Sequence, residues 1–176
     1  MKKKSLLIAA LAAGALLFSG CSNKVEEKPV EKIEKGSVAP AIEIGKAFES
    51  GVLKDQFGRE GRVLPDTEKV ILVFAKSTGH LVKEFLNKKP ADYLAKEHTV
   101  FIADVSGMPS IIFETMALPD LKKHRYPIYL ITDKAVSEKF KSPEHTDQIM
   151  VVELDDGVVE GVIFVTTEKD LEEAID

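Results

Sequence analysis

Apolar positions fall in two rhythms along this chain. Val70 to Ala75 is an unbroken apolar run of six residues. Such a run is the pattern of a strand buried on both faces. Thr99 to Val105 repeats the pattern, and Ile128 to Thr132 is a third, shorter strand. Between the first two, Leu81, Val82, Phe85 and Leu86 recur at helical spacing. They predict a helix from Thr78 to about Leu94, which Pro90 must kink or split. A second helix is predicted from Pro109 to about Leu121, with Ile111, Ile112, Thr115 and Met116 on one side and proline suited to its first turn. Two hairpins frame this centre. Val52 to Leu64 reads as two short strands around a glycine-containing turn, and Ile149–Leu154 with Val158–Val165 form a hairpin around Asp155-Asp156-Gly157. Thr167 begins a last helix, with Asp170 in a capping-box-like position. The order is hairpin, β, α, β, α, β, β, β, α. Parallel strands joined by helices imply a buried sheet with helices on both faces, and the final hairpin adds an antiparallel edge.

The first residues follow neither rhythm. Lys2, Lys3 and Lys4 precede the apolar run Leu6–Phe18, which at 13 residues is shorter than the ~20 a membrane-spanning helix needs. The pattern is that of a signal peptide. Leu17-Phe18-Ser19-Gly20-Cys21 follows it and resembles the lipobox of bacterial lipoproteins, with Phe18 departing from the usual aliphatic residue. The resemblance implies cleavage before Cys21 and a lipid anchor on its thiol, including the acyl chains (palmitate) of a mature lipoprotein. An ordinary signal peptide cut nearby, with an incidental cysteine, is the alternative.

Cleavage there leaves Cys21 to Asp176, 156 residues, enough for one domain with its own core. Losing three lysines moves the net charge from −5 to −8. An acidic chain is a poor partner for nucleic acid or for electrostatic docking on anionic lipid, so the acyl chains must supply membrane affinity. Ser22 to Lys35 is charged, lacks aromatics and contains Pro29, and it is expected to remain a disordered tether. The expected organisation is a signal peptide over 1–20, a lipidated tether over 21–35 and a folded domain over 36–176.

That domain resembles the thioredoxin-like superfamily. Val70–Ala75 is similar to the central strand that leads into the redox loop, and Lys76-Ser77-Thr78-Gly79-His80 stands where redox members carry their cysteines. Arg125-Tyr126-Pro127-Ile128-Tyr129-Leu130-Ile131 resembles the cis-proline segment beside that loop. Leu53–Glu60 and Gly36-Ser37-Val38-Ala39-Pro40 resemble the first hairpin and the opening of peroxiredoxins and related lipoproteins. The resemblance implies an α/β three-layer sandwich with a mixed sheet and flanking helices, and a cis Tyr126–Pro127 bond. It also implies a binding cleft formed by Ser77, Thr78, His80, Tyr126 and Pro127.

The departure from that family is chemical. Disulfide exchange and peroxide reduction both need a thiolate, and Cys21 is the only cysteine of the chain. Thiol-disulfide oxidoreductase, peroxidase and glutathione-dependent activities are excluded. His80 is the side chain near the loop whose chemistry is open. It is either a partly exposed first-turn residue behind a Ser77 or Thr78 cap, or a base or metal ligand. The histidines at 80, 98, 124 and 145 are scattered, with no i, i+4 pair, although His80, His124 and Asp104 could approach one another. No G-x-S-x-G, G-x-G-x-x-G or P-loop motif is present, so no cofactor is expected. Met108, Ile111, Phe113, Met116, Leu118 and Pro119 read as helix core or as an adaptable partner surface, the core reading being preferred. No catalytic or metal residue is assigned. The expected role is a redox-inactive accessory or binding protein of the cell envelope, holding an envelope protein or peptide and anchored to the bilayer through Cys21. The outer membrane is the favoured site if the cell has two membranes. The alternative is a non-thiol enzyme or metal-binding protein using His80. The sequence sets no oligomeric state.

Overall fold

A computed structural model describes residues 25–176. The signal peptide, Cys21 and the first tether residues lie outside the described residues. In chain order the strands are β1 (Glu31–Ile33), β2 (Ser37–Ala39), β3 (Ile42–Glu43), β4 (Leu53–Asp55), β5 (Glu60–Gly61), β6 (Lys69–Val73), β7 (Thr99–Asp104), β8 (Tyr129–Ile131), β9 (Ile149–Asp155) and β10 (Val158–Val165). The helices are α1 (Lys76–Asn87), α2 (Tyr93–Lys96), α3 (Ser110–Ile112), α4 (Leu118–Leu121), α5 (Lys134–Phe140) and α6 (Glu168–Ile175). Eight strands form one sheet in the order β1-β10-β9-β6-β7-β8-β4-β5. β6, β7 and β8 are parallel, and the remaining pairings are antiparallel.

The continuous apolar runs behave as their pattern requires. Along β6, Ile71 and Val73 point into a core with Val82, Phe85 and Leu86 of α1 and Leu171 of α6. Val70 and Leu72 point into a second core with Ile42, Phe48 and Phe140 on the opposite face. The α/β three-layer sandwich with a mixed sheet is therefore present. The Asp155–Val158 hairpin closes through Asp156 and Gly157 at φ 46° and 78°. This left-handed pair belongs to a two-residue turn whose twist matches the strands. Thr167 caps α6 by accepting from Asp170 N at 3.1 Å, while its hydroxyl donates to Asp170 Oδ2 at 2.6 Å. Pro90 ends the long predicted helix, and the chain resumes as α2. Among the described residues no helix is long and apolar enough to cross a membrane.

Four expectations change. The tether does not extend to Lys35, because Glu31–Ile33 pair antiparallel with Val162–Phe164 and make β1 the edge beyond the final hairpin. Lys32 crosses the sheet face to Glu153 at 3.0 Å. Before β1, Lys28 N donates to Thr166 Oγ1 at 2.9 Å, and the Thr166 hydroxyl donates back to Lys28 O at 3.2 Å. α5 was not expected at all. Asp133 starts it by accepting from Ala135 N at 2.7 Å and Val136 N at 3.2 Å. α1 begins at Lys76 rather than Thr78. Neither Ser77 nor Thr78 caps it, and the buried Thr78 hydroxyl donates to Ala75 O at 2.9 Å.

The fourth change concerns Pro127. No described peptide bond is cis, so Tyr126–Pro127 is trans. An X–Pro bond prefers trans by about 0.5–1 kcal/mol unless tertiary contacts fix the other isomer. Here the contacts serve the trans form. The buried Gln56 side chain donates from Nε2 to Tyr126 O at 2.8 Å and accepts from Ile128 N at 2.9 Å. Both backbone groups flanking the proline are satisfied in that arrangement.

Candidate functional site

Strand direction decides which residues share one end of the molecule. β6, β7 and β8 run the same way; β9 runs against β6, and β10 runs against β9. The carboxyl ends of β6, β7, β8 and β10 therefore lie at one end of the sheet, with the starts of α1, α3, α5 and α6. The crevice outside the carboxyl ends of parallel strands is where open α/β sheets bind ligands.

A cavity of about 860 Å³ occupies that crevice. Val73, Phe101, Ala103 and Ile128 form its apolar base. Lys76, Gly79, His80 and Lys83 of α1 form one wall, and Val105–Met108, Ile112, Met116 and Ala117 form the facing wall. Lys134 and Glu138 of α5, with Lys141 just after it, close a third side. The turn after β7 is fixed by Val105 N to Ile131 O at 2.9 Å and Met108 N to Val105 O at 3.0 Å. Asp104 anchors it from below, accepting from Ser106 N at 2.9 Å and from the Ser137 hydroxyl at 2.7 Å. Lys141 stands 3.7 Å from Asp104 and 3.2 Å from Glu138. Lys83 binds Asp120 at 2.9 Å across the cavity's side, and this holds the Asp120 carboxyl below the ordinary carboxylate range. Lys76 and Lys134 have no carboxylate partner among the described residues.

The facing wall divides the preferred reading of its helix: Phe113 packs against the core, but the stripe beside it does not. Ile111 and Met116 are 63% and 65% exposed, and Ile112 is 41% exposed, so this apolar stripe is surface rather than core. Between α3 and α4 the chain makes a π-helical turn, Phe113–Ala117. π-turns inside α-helices recur at functional sites and change which side chains face a cleft.

Of the five residues expected to form a cleft, the structure brings only His80 to this cavity. His80 is mostly exposed, and its Nε2 lies 3.2 Å from Glu84 Oε1 one turn along. Ser77 lies on α1's other side, where with His80, Glu84, Val25, Glu27 and Thr167 it lines a smaller groove of about 270 Å³. Thr78 is buried in the core. Pro127 is exposed at the opposite end of β8. Tyr126 is buried beneath α1, its hydroxyl donating to Lys83 O at 3.3 Å and lying 3.2 Å from His124 Nδ1. Burial pushes the Tyr126 phenol strongly upward, so it stays protonated. His124 does not meet His80. Its Nδ1 lies 2.9 Å from Asn87 Oδ1, and burial, then the Lys83 cation, lower its pKa. Asp104 turns to α5 instead of to either histidine. Among the described residues no three His, Cys, Asp or Glu side chains converge as a metal site requires. Ser106 and His80 line different walls with no hydrogen bond between them.

Sequence reasoning missed Lys134, Glu138 and Lys141, because it missed α5. The signal for that helix was Asp133 ahead of Val136 and Phe140 at i, i+4 spacing. Gln56 was missed because it stands in a polar stretch, and no pattern marks a buried amide there.

No family model and no curated protein matches the chain. Solved structures do. A protein described as a disulfide isomerase from Bacteroides thetaiotaomicron aligns over 79% of this chain and 89% of its own, at 13% identity and TM-score 0.51. StoA from Bacillus subtilis aligns over 72% and 96% at 17% identity and TM-score 0.47. Peroxidoxin BcpB from Mycobacterium tuberculosis aligns over 80% and 94% at 18% identity and TM-score 0.48. The first likeness establishes a thioredoxin-like fold and nothing about activity. This chain carries that fold with no cysteine among its described residues.

Proposed function

We propose that this protein is a cell-envelope lipoprotein, anchored through acylated Cys21, whose thioredoxin-like domain binds a protein or peptide segment and performs no thiol chemistry. The observation that carries the binding role is the cavity at the carboxyl ends of β6 and β7, with its apolar base and exposed Ile112 and Met116 wall. Its volume is in the range of ligand pockets, about 300–1,000 Å³, and its lining combines an apolar base with charged side chains, Lys76, Lys83, Asp120, Lys134, Glu138 and Lys141 among them. An extended polypeptide offers this surface apolar side chains for the base. The non-thiol enzyme reading has less support. His80 is engaged with Glu84, and no nucleophile is hydrogen-bonded to it.

The anchor rests on the charged start, the apolar run and the small residues before Cys21. Two measurements test the two halves. Membrane fractionation with mass analysis of the N-terminal peptide should show diacylglyceryl and acyl groups on wild type, and release or stalled processing in Cys21→Ala. A photo-crosslinking residue at Met108, installed in cells, should capture an envelope polypeptide that the same residue at Phe57 does not. Equal capture at both positions sinks the binding role.

A further inference from the structure

The length of the tether fixes which end of the domain meets the membrane. Residues 28–33 are strapped to the sheet through the Lys28–Thr166 hydrogen bonds and the β1–β10 ladder. β1 runs against β10, so the chain emerges at the end where β10 finishes. Val25 and Glu27 lie there in the groove with Ser77, His80 and Thr167. Only residues 22–24 separate Val25 from Cys21, and four Cα–Cα steps reach at most about 14 Å. The headgroup layer is roughly 5–7 Å thick on each side of the hydrocarbon. A chain acylated at Cys21 thus holds Val25, and with it the carboxyl end of the sheet, at or just above the headgroups.

Three of the seven exposed large apolar side chains of the described residues, Ile111, Ile112 and Met116, lie at that end. Ile111 and Met116 project from the segment that follows β7, and Lys76 and Lys134 begin α1 and α5. We infer that the domain lies on a glycerophospholipid bilayer with its cavity end down, Ile111 and Met116 entering the interface and Lys76 and Lys134 meeting lipid phosphates. Two exposed apolar residues on one segment would bind membrane weakly alone. The acyl anchor removes the need for affinity, so the contact has only to choose an orientation. The cavity then opens at the membrane surface instead of towards the aqueous compartment. This inference rests on the lipoprotein reading.

The chain has no tryptophan, so a single substitution supplies the only indole. Full-length lipidated protein carrying Ile111→Trp, and separately Met116→Trp, is reconstituted in phosphatidylcholine vesicles with and without bromine-labelled acyl chains. Phe57→Trp, half exposed in the β4–β5 turn at the opposite end, is the reference. The expected result is blue-shifted emission and loss of intensity with brominated lipid at positions 111 and 116, with neither at 57. Blue shift without bromine quenching assigns the ridge to protein contact and overturns the inference. So does equal quenching at all three positions. Mass analysis of the same samples separates the two readings: unacylated protein that leaves the vesicles defeats both, whereas acylated, vesicle-bound protein with no quenching at 111 and 116 defeats the orientation alone.

Discussion

The buried amide of Gln56 pairs with Tyr126 as a strand would, Nε2 donating to the carbonyl at 2.8 Å, and returns to the chain two residues on by accepting from Ile128 N at 2.9 Å. A side chain thereby satisfies two backbone groups that Pro127, lacking an N–H, separates. It also ties the β4–β5 hairpin to the start of β8. Gln56→Ala should destabilise the protein by about 2–4 kcal/mol, since each orphaned buried group costs about 1–3 kcal/mol. Gln56→Glu should also destabilise it at neutral pH, because an ionised carboxylate has no proton for the Tyr126 carbonyl. Urea midpoints read both. A Gln56→Ala protein as stable as wild type would mean that water or a shifted neighbour replaces the amide.

One residue earlier, Asp55 makes the stability of the same hairpin depend on pH. Its carboxylate accepts from Phe57 N at 2.8 Å and Arg59 N at 2.9 Å, and meets the Arg59 guanidinium at 2.7 Å. Burial alone pushes its pKa up, but Arg59 and the two backbone N–H groups outweigh burial and leave it below the ordinary value. The unfolded carboxyl, near pH 3.9, therefore binds a proton before the folded one does. The stabilisation is complete above that pH and is lost as pH falls through the folded value. Asp55→Asn should unfold at lower urea than wild type at pH 7, by roughly 1–2 kcal/mol because Arg59 is largely exposed. The gap should close below about pH 4. A gap that persists unchanged in acid would mean that the loss is one of packing, not charge.

The sequence exposed the parts of this fold that a hydrophobic rhythm can mark. Val70–Val73 and Val100–Ala103 lie in the middle of the sheet, and their apolar runs are unbroken. The Asp156-Gly157 turn and the Thr167 cap have local chemistry strong enough to read alone. β1 was lost because an edge strand buries little. Between Val30 and Ile33 stand Glu31 and Lys32, the charged decoration expected where a strand has one free side. The stripe Ile111, Ile112, Met116 has the pattern of a core face, because periodicity reports that a helix has an apolar face, not what covers it. A cleft of Ser77, Thr78, His80, Tyr126 and Pro127 requires a cis-proline beside the first turn of α1. Pro127 lies at the far end of β8, and the cavity is built from the turn after β7 and from α5.

The floor of the cavity has its own polar bolt, open to a separate test. Asp104 joins the end of β7 to α5 through Ser137 at 2.7 Å, with Lys141 nearby. Asp104→Ala should cost about 2–3 kcal/mol, because it removes a buried charge-assisted hydrogen bond and leaves the Ser137 hydroxyl unpaired. In a double-mutant cycle, Ser137→Ala should add little once Asp104 is gone, giving a coupling of about 0.5–3 kcal/mol. Full additivity, read by urea unfolding, would show that the two residues do not act as a unit.

The cavity, not the histidine, should govern partner capture. His80 contributes an exposed ring and one i, i+4 pair with Glu84, an arrangement worth about 0.5 kcal/mol or less. Ile112 presents aliphatic carbons to the cavity from a partly exposed wall. Burying such a side chain against a ligand is worth about 1.5–3 kcal/mol at most. Its existing partial burial lowers the share gained on binding, so Ile112→Ala should weaken capture by about tenfold, or ~1.4 kcal/mol. The melting temperature should move little, because the lost surface is half in water already. His80→Ala should change capture by no more than about threefold, the equivalent of its surface pair. The measurement is concentration-dependent photo-crosslinking through Met108 in each variant, normalised to the folded fraction. Wild-type capture in both variants at unchanged stability would remove the cavity as the binding site. A larger loss in His80→Ala than in Ile112→Ala would place the decisive contact at a polar group on α1 and return His80 to the centre of the site.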